Sequence, residues 1–303
     1  MDFILSLLGT LPGAVAQGLV WGIMAIGVYI TYKILDIADL TVDGSMVTGA
    51  AVCAMLTING VNIWLAMLIA TLVGMIAGLL TGVFHTALGI PAILSGILTQ
   101  LILWSVNLKI MGKANQALPA RDYPVIVTQL EKGKSILMLV LITAAVIGVL
   151  YWFFGTEIGA SLRATGNNPG MSRAQGINTE WNKILGLMIS NGIVALSGAL
   201  LTQYLGLADI NMGRGAIVIG LASVIIGNAL FGKFCRNFAY RLACVGFGGI
   251  VYYIVYQLVV FIGLDTDLLK MLSAIVVAVF LGVPHLKTKL MSGKKKKEAE
   301  NHA

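Results

Sequence analysis

Nine apolar runs divide this 303-residue chain, near 14–35, 45–58, 61–84, 89–108, 135–154, 184–205, 217–232, 242–262 and 270–285. Most approach the ~20 residues that cross a ~30 Å hydrocarbon core. Segments in such a medium must satisfy their own backbone N–H and C=O groups, so they fold as helices unless they close a barrel. Only 11% of residues are charged, where a soluble domain carries about 25%. The fold class expected is therefore all-α, a polytopic membrane protein with about eight or nine transmembrane segments in one domain over 1–285, followed by a lysine-rich tail at 286–303.

Two runs, 45–58 and 217–232, are short for a full crossing, and each follows a polar break rich in Asp and Gly. Each reads as half of a discontinuous helix. The first break, Leu35–Gly49, holds Asp36, Asp39 and Asp43 between apolar runs, where carboxylates are costly unless they face a cavity or find partners. It has an internal echo. Leu35-Asp-Ile-Ala-Asp39-Leu-Thr41-Val aligns with Leu205-Gly-Leu-Ala-Asp209-Ile-Asn211-Met, and Gly44 and Gly49 follow as Gly215 and Gly220 do. Five expected spans separate the copies, which would make them an inverted repeat whose broken helices meet near the bilayer midplane. On that reading Asp39 and Asp209 are structural, capping the short helices that follow. Asp43 has no counterpart, since Gly213 and Arg214 stand in its place, and it is the aspartate expected to meet substrate or a gate. Thr41, Gly44, Asn211 and Asn228 complete the pathway and gate candidates.

Other features exclude function classes. Gly227-Asn-Ala-Leu-Phe-Gly232-Lys233-Phe234 has phosphate-loop spacing, but Phe234 replaces the magnesium-binding Ser or Thr and no βαβ context surrounds it. The chain is not expected to hydrolyse ATP itself. Neither a nucleophile–base arrangement nor a metal cluster is visible, since His85, His285 and His302 are scattered, so no catalytic residue and no bound cofactor or metal is expected. Cys53, Cys235 and Cys244 form no CxxC and read as apolar fillers. The net charge of +7 is concentrated in the tail, at Lys287, Lys289 and Lys294 to Lys297, which suits anionic membrane lipid better than nucleic acid. Gly18 and Gly22, and Gly74, Gly78 and Gly82, are spaced by four and read as internal helix-packing stripes.

The polar segment 155–183 is long for a connector, and loops beyond ~12–15 residues in compact proteins are usually functional or disordered. Asn167-Asn168-Pro169 reads as a turn, followed by a short helix Gly170–Gln175 that Gly176 ends. Within it, Gly159-Ala-Ser-Leu-Arg163-Ala-Thr-Gly166-Asn-Asn168-Pro169 and Ala174-Gln-Gly176-Ile177-Asn178 resemble the coupling segment of bacterial ABC importer permeases of the branched-chain amino-acid and ribose-type family. The resemblance extends to Gln17–Gly27, similar to the family's first long span. Asp39–Gly44, Ile217–Ala222, Ile225–Leu230 and Gly263-Leu-Asp265 with Leu268-Leu-Lys270 resemble the tryptophan/tyrosine-type permeases, although Asn228 stands where that subgroup would have an acid.

The resemblance implies an ATP-driven importer moving a small solute, an amino acid and in this subgroup an aromatic one, by alternating access. It implies a homodimer of this chain in the bacterial cytoplasmic membrane, a separate ATP-binding subunit that carries ATP and magnesium, and an extracytoplasmic substrate-binding lipoprotein. Gly159, Arg163, Gly166, Asn168, Pro169, Gly176 and Ile177 become the residues expected to couple to the ATPase, with Arg163 as the contact. The segment 155–183 and the C-terminus are then cytoplasmic. Basic residues alone favour the opposite orientation, since loop 109–134 carries Lys109, Lys113, Arg121, Lys132 and Lys134 against Arg163, Arg173 and Lys183 in 155–183. A secondary transporter with inverted repeats and no ATPase remains the alternative, and a membrane scaffold a more distant one.

Overall fold

The computed structural model describes residues 2–232, 237–261 and, beyond them, 271, 274, 275 and 278. The tail and nearly all of the expected span 270–285 lie outside the described residues, as does Gly263-Leu-Asp265. Ten α-helices are described: α1 (Asp2–Tyr29), α2 (Val42–Ile58), α3 (Ile63–Thr86), α4 (Ala92–Met111), α5 (Lys132–Gly155), α6 (Glu157–Asn167), α7 (Pro169–Ala174), α8 (Thr179–Leu205), α9 (Ala216–Phe231) and α10 (Phe238–Phe261). A π-helical turn, Ile30–Ile34, continues α1. Six of the helices, counting α1 with this turn, are long and apolar enough to cross a membrane, while α2 and α9 are shorter. The protein is an all-α, multi-pass membrane protein.

Burial separates the helices into two groups. Across their most apolar windows α1 is 83% and α8 72% buried, whereas α4 is 28% and α5 17% buried. The first two form the centre, and the second two present Leu101, Trp104, Leu141 and Val149 outward. Without a hydrophobic drive between helices in lipid, close approach depends on small residues. Gly74, Gly78 and Gly82 of α3 lie against Asn191, Leu187 and Ile184 of α8, so closely that a Cβ would strike α8. Gly18 and Gly22 of α1 lie in the same way against Ile250 and Gly246 of α10. Both stripes serve packing within the chain. Ser190 and Ser197 of α8 donate to the carbonyls of Gly27 and Val20, both at 2.8 Å, joining the two central helices.

Helix α8 runs from one end of the molecule to the other, 27 residues or about 40 Å at 1.5 Å per residue. At its start lie α6 and α7. At its end lies the loop 112–131, where the small strand β1 (Asn115–Ala117) pairs antiparallel with β2 (Leu207–Asp209). The segments 155–178 and 112–131 therefore occupy opposite ends.

Not every cysteine is an apolar filler. Cys53 is a buried free thiol, but Cys244 is disulfide-bonded. Absence of a CxxC gave no warning, because a bridge needs only Cα atoms within about 7 Å, whatever their separation in sequence.

Candidate functional site

Helix α1 loosens before it stops. In the π-turn Leu35 N–H reaches Ile30 O at 3.0 Å and Ile37 N–H reaches Thr31 O at 2.9 Å, and Asp36 then takes the left-handed conformation (φ 56°). Aspartate tolerates this region better than most residues because its short polar side chain bonds locally. The chain continues without helix to Leu40, and α2 begins beneath it. Asp39 sits in this break at 2% exposure, yet it is well partnered. Its Oδ1 accepts from Thr41 N–H at 2.9 Å and its Oδ2 from Asn191 Nδ2 of α8 at 2.7 Å. Asn191 Oδ1 in turn accepts from Ser45 Oγ at 2.6 Å. Thr41 continues the network sideways, its hydroxyl 2.7 Å from that of Thr81, which donates to Thr99 Oγ1 at 3.0 Å. Charge-assisted bonds of this kind, beside a helix N-terminus, offset the desolvation of a carboxylate.

The second break follows α8. Gly206 caps that helix in the left-handed region (φ 73°), a conformation that an L side chain would strain. Asp209 then repeats the turn of Asp39, its Oδ1 accepting from Asn211 N–H at 2.7 Å. Tight turns at 211–216 lead to Gly215 (φ 85°), from which α9 starts.

Asp43 joins the two breaks. It lies in the first turn of α2, and its Oδ2 and Oδ1 accept from Gly215 N–H (2.9 Å) and Ile217 N–H (3.0 Å) at the start of α9. One carboxylate thus faces the N-termini of two helices, each of which stabilises negative charge. Gly213 packs on the Asp43 carbonyl so tightly that a Cβ there would clash.

Beside this junction is a pocket of about 200 Å³, lined by Asp43, Gln100, Trp104, Asn107, Ile210 and Arg214. Asn107 is fully buried and donates weakly to Gly44 O at 3.4 Å, but its Oδ1 has no hydrogen-bond partner. Arg214 is exposed, and among the described residues the one salt bridge is Lys134–Glu131 at 2.9 Å, so Arg214 and Asp43 form no ion pair. No group of His, Cys, Asp and Glu among the described residues is arranged to hold a metal ion.

At the far end, Thr156 caps α6 and Asn168 caps α7, its Oδ1 accepting from Met171 N–H at 3.0 Å with Pro169 at the first helical position. Gly159 seats α6 against Phe153 and Phe154 at the end of α5. Gly166 seats it against Ile34 and Leu35, where α1 gives way to the first break. Asn182 of α8 donates to Thr165 Oγ1 at 2.8 Å, fixing the inner face. Arg163 points outward between the two glycines and lines a cleft of about 690 Å³ with Lys33, Asp36 and Arg241.

A family model described as branched-chain amino acid transport system, permease component, matches residues 11–284. The chain belongs to this permease family. The permease is 41% identical over 274 residues to the tyrosine transport system permease protein of Clostridioides difficile (strain R20291), a match covering 90% of this chain and 91% of the relative. An uncharacterized protein of Rickettsia prowazekii (strain Madrid E) is 35% identical over 270 residues, 88% of this chain and 95% of its own length. The autoinducer 2 import system permease protein LsrC of Yersinia pestis (strain Pestoides F) is 29% identical over 212 residues, 68% of this chain and 58% of its own. No solved structure matches the permease. The relatives and the family model make it the membrane permease subunit of an ABC importer, a transport component.

The expected site residues of the permease divide among four places. Asp39, Thr41, Asp43 and Gly44 gather at the start of α2. Asp209 and Asn211 lie in the second break, with Asn211 exposed. Asn228 is exposed near the far end of α9, away from the Asp43 junction, and its carbonyl accepts from Gly232 N–H at 2.9 Å. In the loop, Asn168, Pro169 and Gly176 build α7 and its exit, Gly176 at φ 80°, and half-buried Ile177 donates its N–H to Ser172 O at 3.0 Å. Two residues of interest escaped the sequence reading. Trp104 lines the pocket from α4, and Met171 stands 60% exposed at the tip of α7. Only the oddity of a large apolar side chain in a polar loop marked the latter.

Proposed function

We propose that this permease works as a homodimer in an ATP-driven importer of amino acids, aromatic ones included, in the bacterial cytoplasmic membrane. Two ATP-binding subunits, which carry the ATP and magnesium, dock on α6 and α7 at the cytoplasmic end. An extracytoplasmic binding lipoprotein delivers substrate at the end formed by 112–131 and the β1–β2 ribbon. The C-terminal tail lies in the cytoplasm beside anionic lipid. The chain from 1 to 285 acts as one domain, and its two breaks are the inverted pair that closes one face while opening the other.

One observation carries this reading: the breaks begin at opposite ends of the molecule, yet their short helices start at the same carboxylate, Asp43. A motion of either end reaches the other through that junction. Coupling also has a short route, because Gly166 of α6 sits on the Ile34 carbonyl, immediately before the first break. ATP-driven closure of the docked subunits would move α6, and the contacts that differ between the two states supply the coupling free energy. Arg163 and Met171, both outward-facing, are the contacts for the ATPase.

The test is uptake in proteoliposomes holding the permease, its ATPase and its binding protein. Labelled tyrosine, tryptophan, phenylalanine and leucine should accumulate only with ATP inside the ATPase-bearing compartment. Accumulation driven by an ion gradient without ATP would instead establish a secondary transporter.

A further inference from the structure

The internal echo fails at one place, and the fold makes that failure a site. Asp43 in the first copy and Arg214 in the second have no matching charge in the other copy. The meeting of α2 and α9 brings both to the wall of one pocket. Three groups there keep unused bonding capacity. Asn107 Oδ1 is buried and unpartnered, a state rare enough in folded proteins to call for a partner from outside the chain. Arg214 has no ion pair with a described residue. Asp43 accepts from the Gly215 and Ile217 N–H groups, and a carboxylate has about four acceptor positions. The remaining wall is apolar, with Val47, Leu101, Trp104 and Ile210.

The geometry points to a substrate station inside the permease itself: a zwitterionic amino acid with its carboxylate on Arg214, its ammonium between Asn107 Oδ1 and Asp43, and a large apolar or aromatic side chain against Trp104. This rests on the amino-acid importer reading above and adds where the substrate pauses. A simple anion would face Asp43 and a simple cation would face Arg214, so only a ligand carrying both charges satisfies both walls. At about 200 Å³ the pocket falls below the ~300–1,000 Å³ of sites for drug-sized ligands, a size that suits one amino acid. Trp104, 44% exposed at the rim, supplies an aromatic face on which a ring can stack.

The test uses the permease–ATPase complex in nanodiscs without binding protein, titrated calorimetrically with L-tyrosine, with tyramine, which lacks the carboxylate, and with 3-(4-hydroxyphenyl)propionate, which lacks the ammonium. Saturable tyrosine binding is expected, with each analogue weaker by about tenfold or more. Arg214→Gln should erase the preference for tyrosine over tyramine, and Arg214→Lys should keep most of it. Asn107→Ala should erase the preference over the propionate. Trp104→Ala, at an exposed position that packing does not need, should weaken tyrosine more than leucine. Uptake by the full complex is measured alongside. If ATP-driven uptake of an amino acid proceeds while the nanodisc complex binds no tyrosine, or binds it with no loss in Arg214→Gln and Trp104→Ala, the station is overturned and the importer reading stands. If the unaltered full complex takes up no amino acid, the importer reading falls and the station falls with it.

Discussion

The two breaks share a turn and differ in what surrounds it. Asp39 and Asp209 each follow an alanine, and each accepts the N–H two residues on, at 2.9 and 2.7 Å. Beyond that the resemblance stops. Asp39 is buried, and its second oxygen holds Asn191 of the central helix α8. Asp209 is half-buried, in a strand paired only with the three-residue β1. The same local chemistry therefore anchors the first break to the core and leaves the second tied mainly by the β ribbon and by Asp43. A short motif fixes a turn, while the neighbours decide how firmly the turn is held. The second break is the more weakly held of the two.

Substitutions in the two breaks test this difference. The largest effect is expected at Asp39. Asp39→Ala leaves the Thr41 N–H without a partner and takes one of the two acceptors of Asn191 Nδ2, which keeps Leu187 O at 3.0 Å, a loss of about 1–3 kcal/mol for a buried donor left unsatisfied, plus the lost bond to Asn191. The yield of folded permease in detergent and its thermal midpoint should both fall sharply. Asp43→Ala comes next. It removes the cap of α9, worth about 1–2 kcal/mol, so the protein should still assemble with a lowered midpoint, but uptake should be nearly lost. Asp43→Asn should retain part of the fold stability while uptake remains impaired. Equal effects on assembly and uptake would make Asp43 purely structural. Arg163→Glu should change stability by no more than about 0.5 kcal/mol, as exposed substitutions do, while reducing transport-coupled ATPase activity. Asp209→Ala should be the mildest for folding, about 0.5–1 kcal/mol for one exposed turn bond. A loss at Asp209 as large as at Asp39 would abolish the contrast.

Much of this arrangement was legible in the sequence because hydrophobic length is a strong signal. The eight apolar runs up to 262 all appear as helices, and Asn168-Pro169 and Gly176 place α7 within a residue of its expected limits. Ends were less legible. Helix α1 begins at Asp2, not near 14, because Pro12 is accommodated inside it. Helix α2 takes in Val42, Asp43 and Gly44 as its first turn, residues whose composition suggests a break. Helix α6 was not foreseen within 155–183, and its Gly159 and Gly166 are the positions where it touches its neighbours. The ribbon has three residues per strand and no alternating pattern. Asp43 was singled out for lacking a counterpart, yet its hydrogen bonds reach Gly215 and Ile217, 172 and 174 residues away. Nothing local reveals such a partner, and so a residue expected to be free for substrate turned out to hold α9 as well.

Alternating access, as proposed, requires the Asp43 junction and its pocket to open in turn to the two faces of the membrane. Gln100, half-buried on the pocket wall, provides the probe. In the reconstituted complex, Gln100→Cys should react with a membrane-impermeant thiol reagent, above the level of the unaltered chain, from one face without ATP and from the other with a non-hydrolysable ATP analogue. Labelling from the same face in both states, or from neither, would contradict the account.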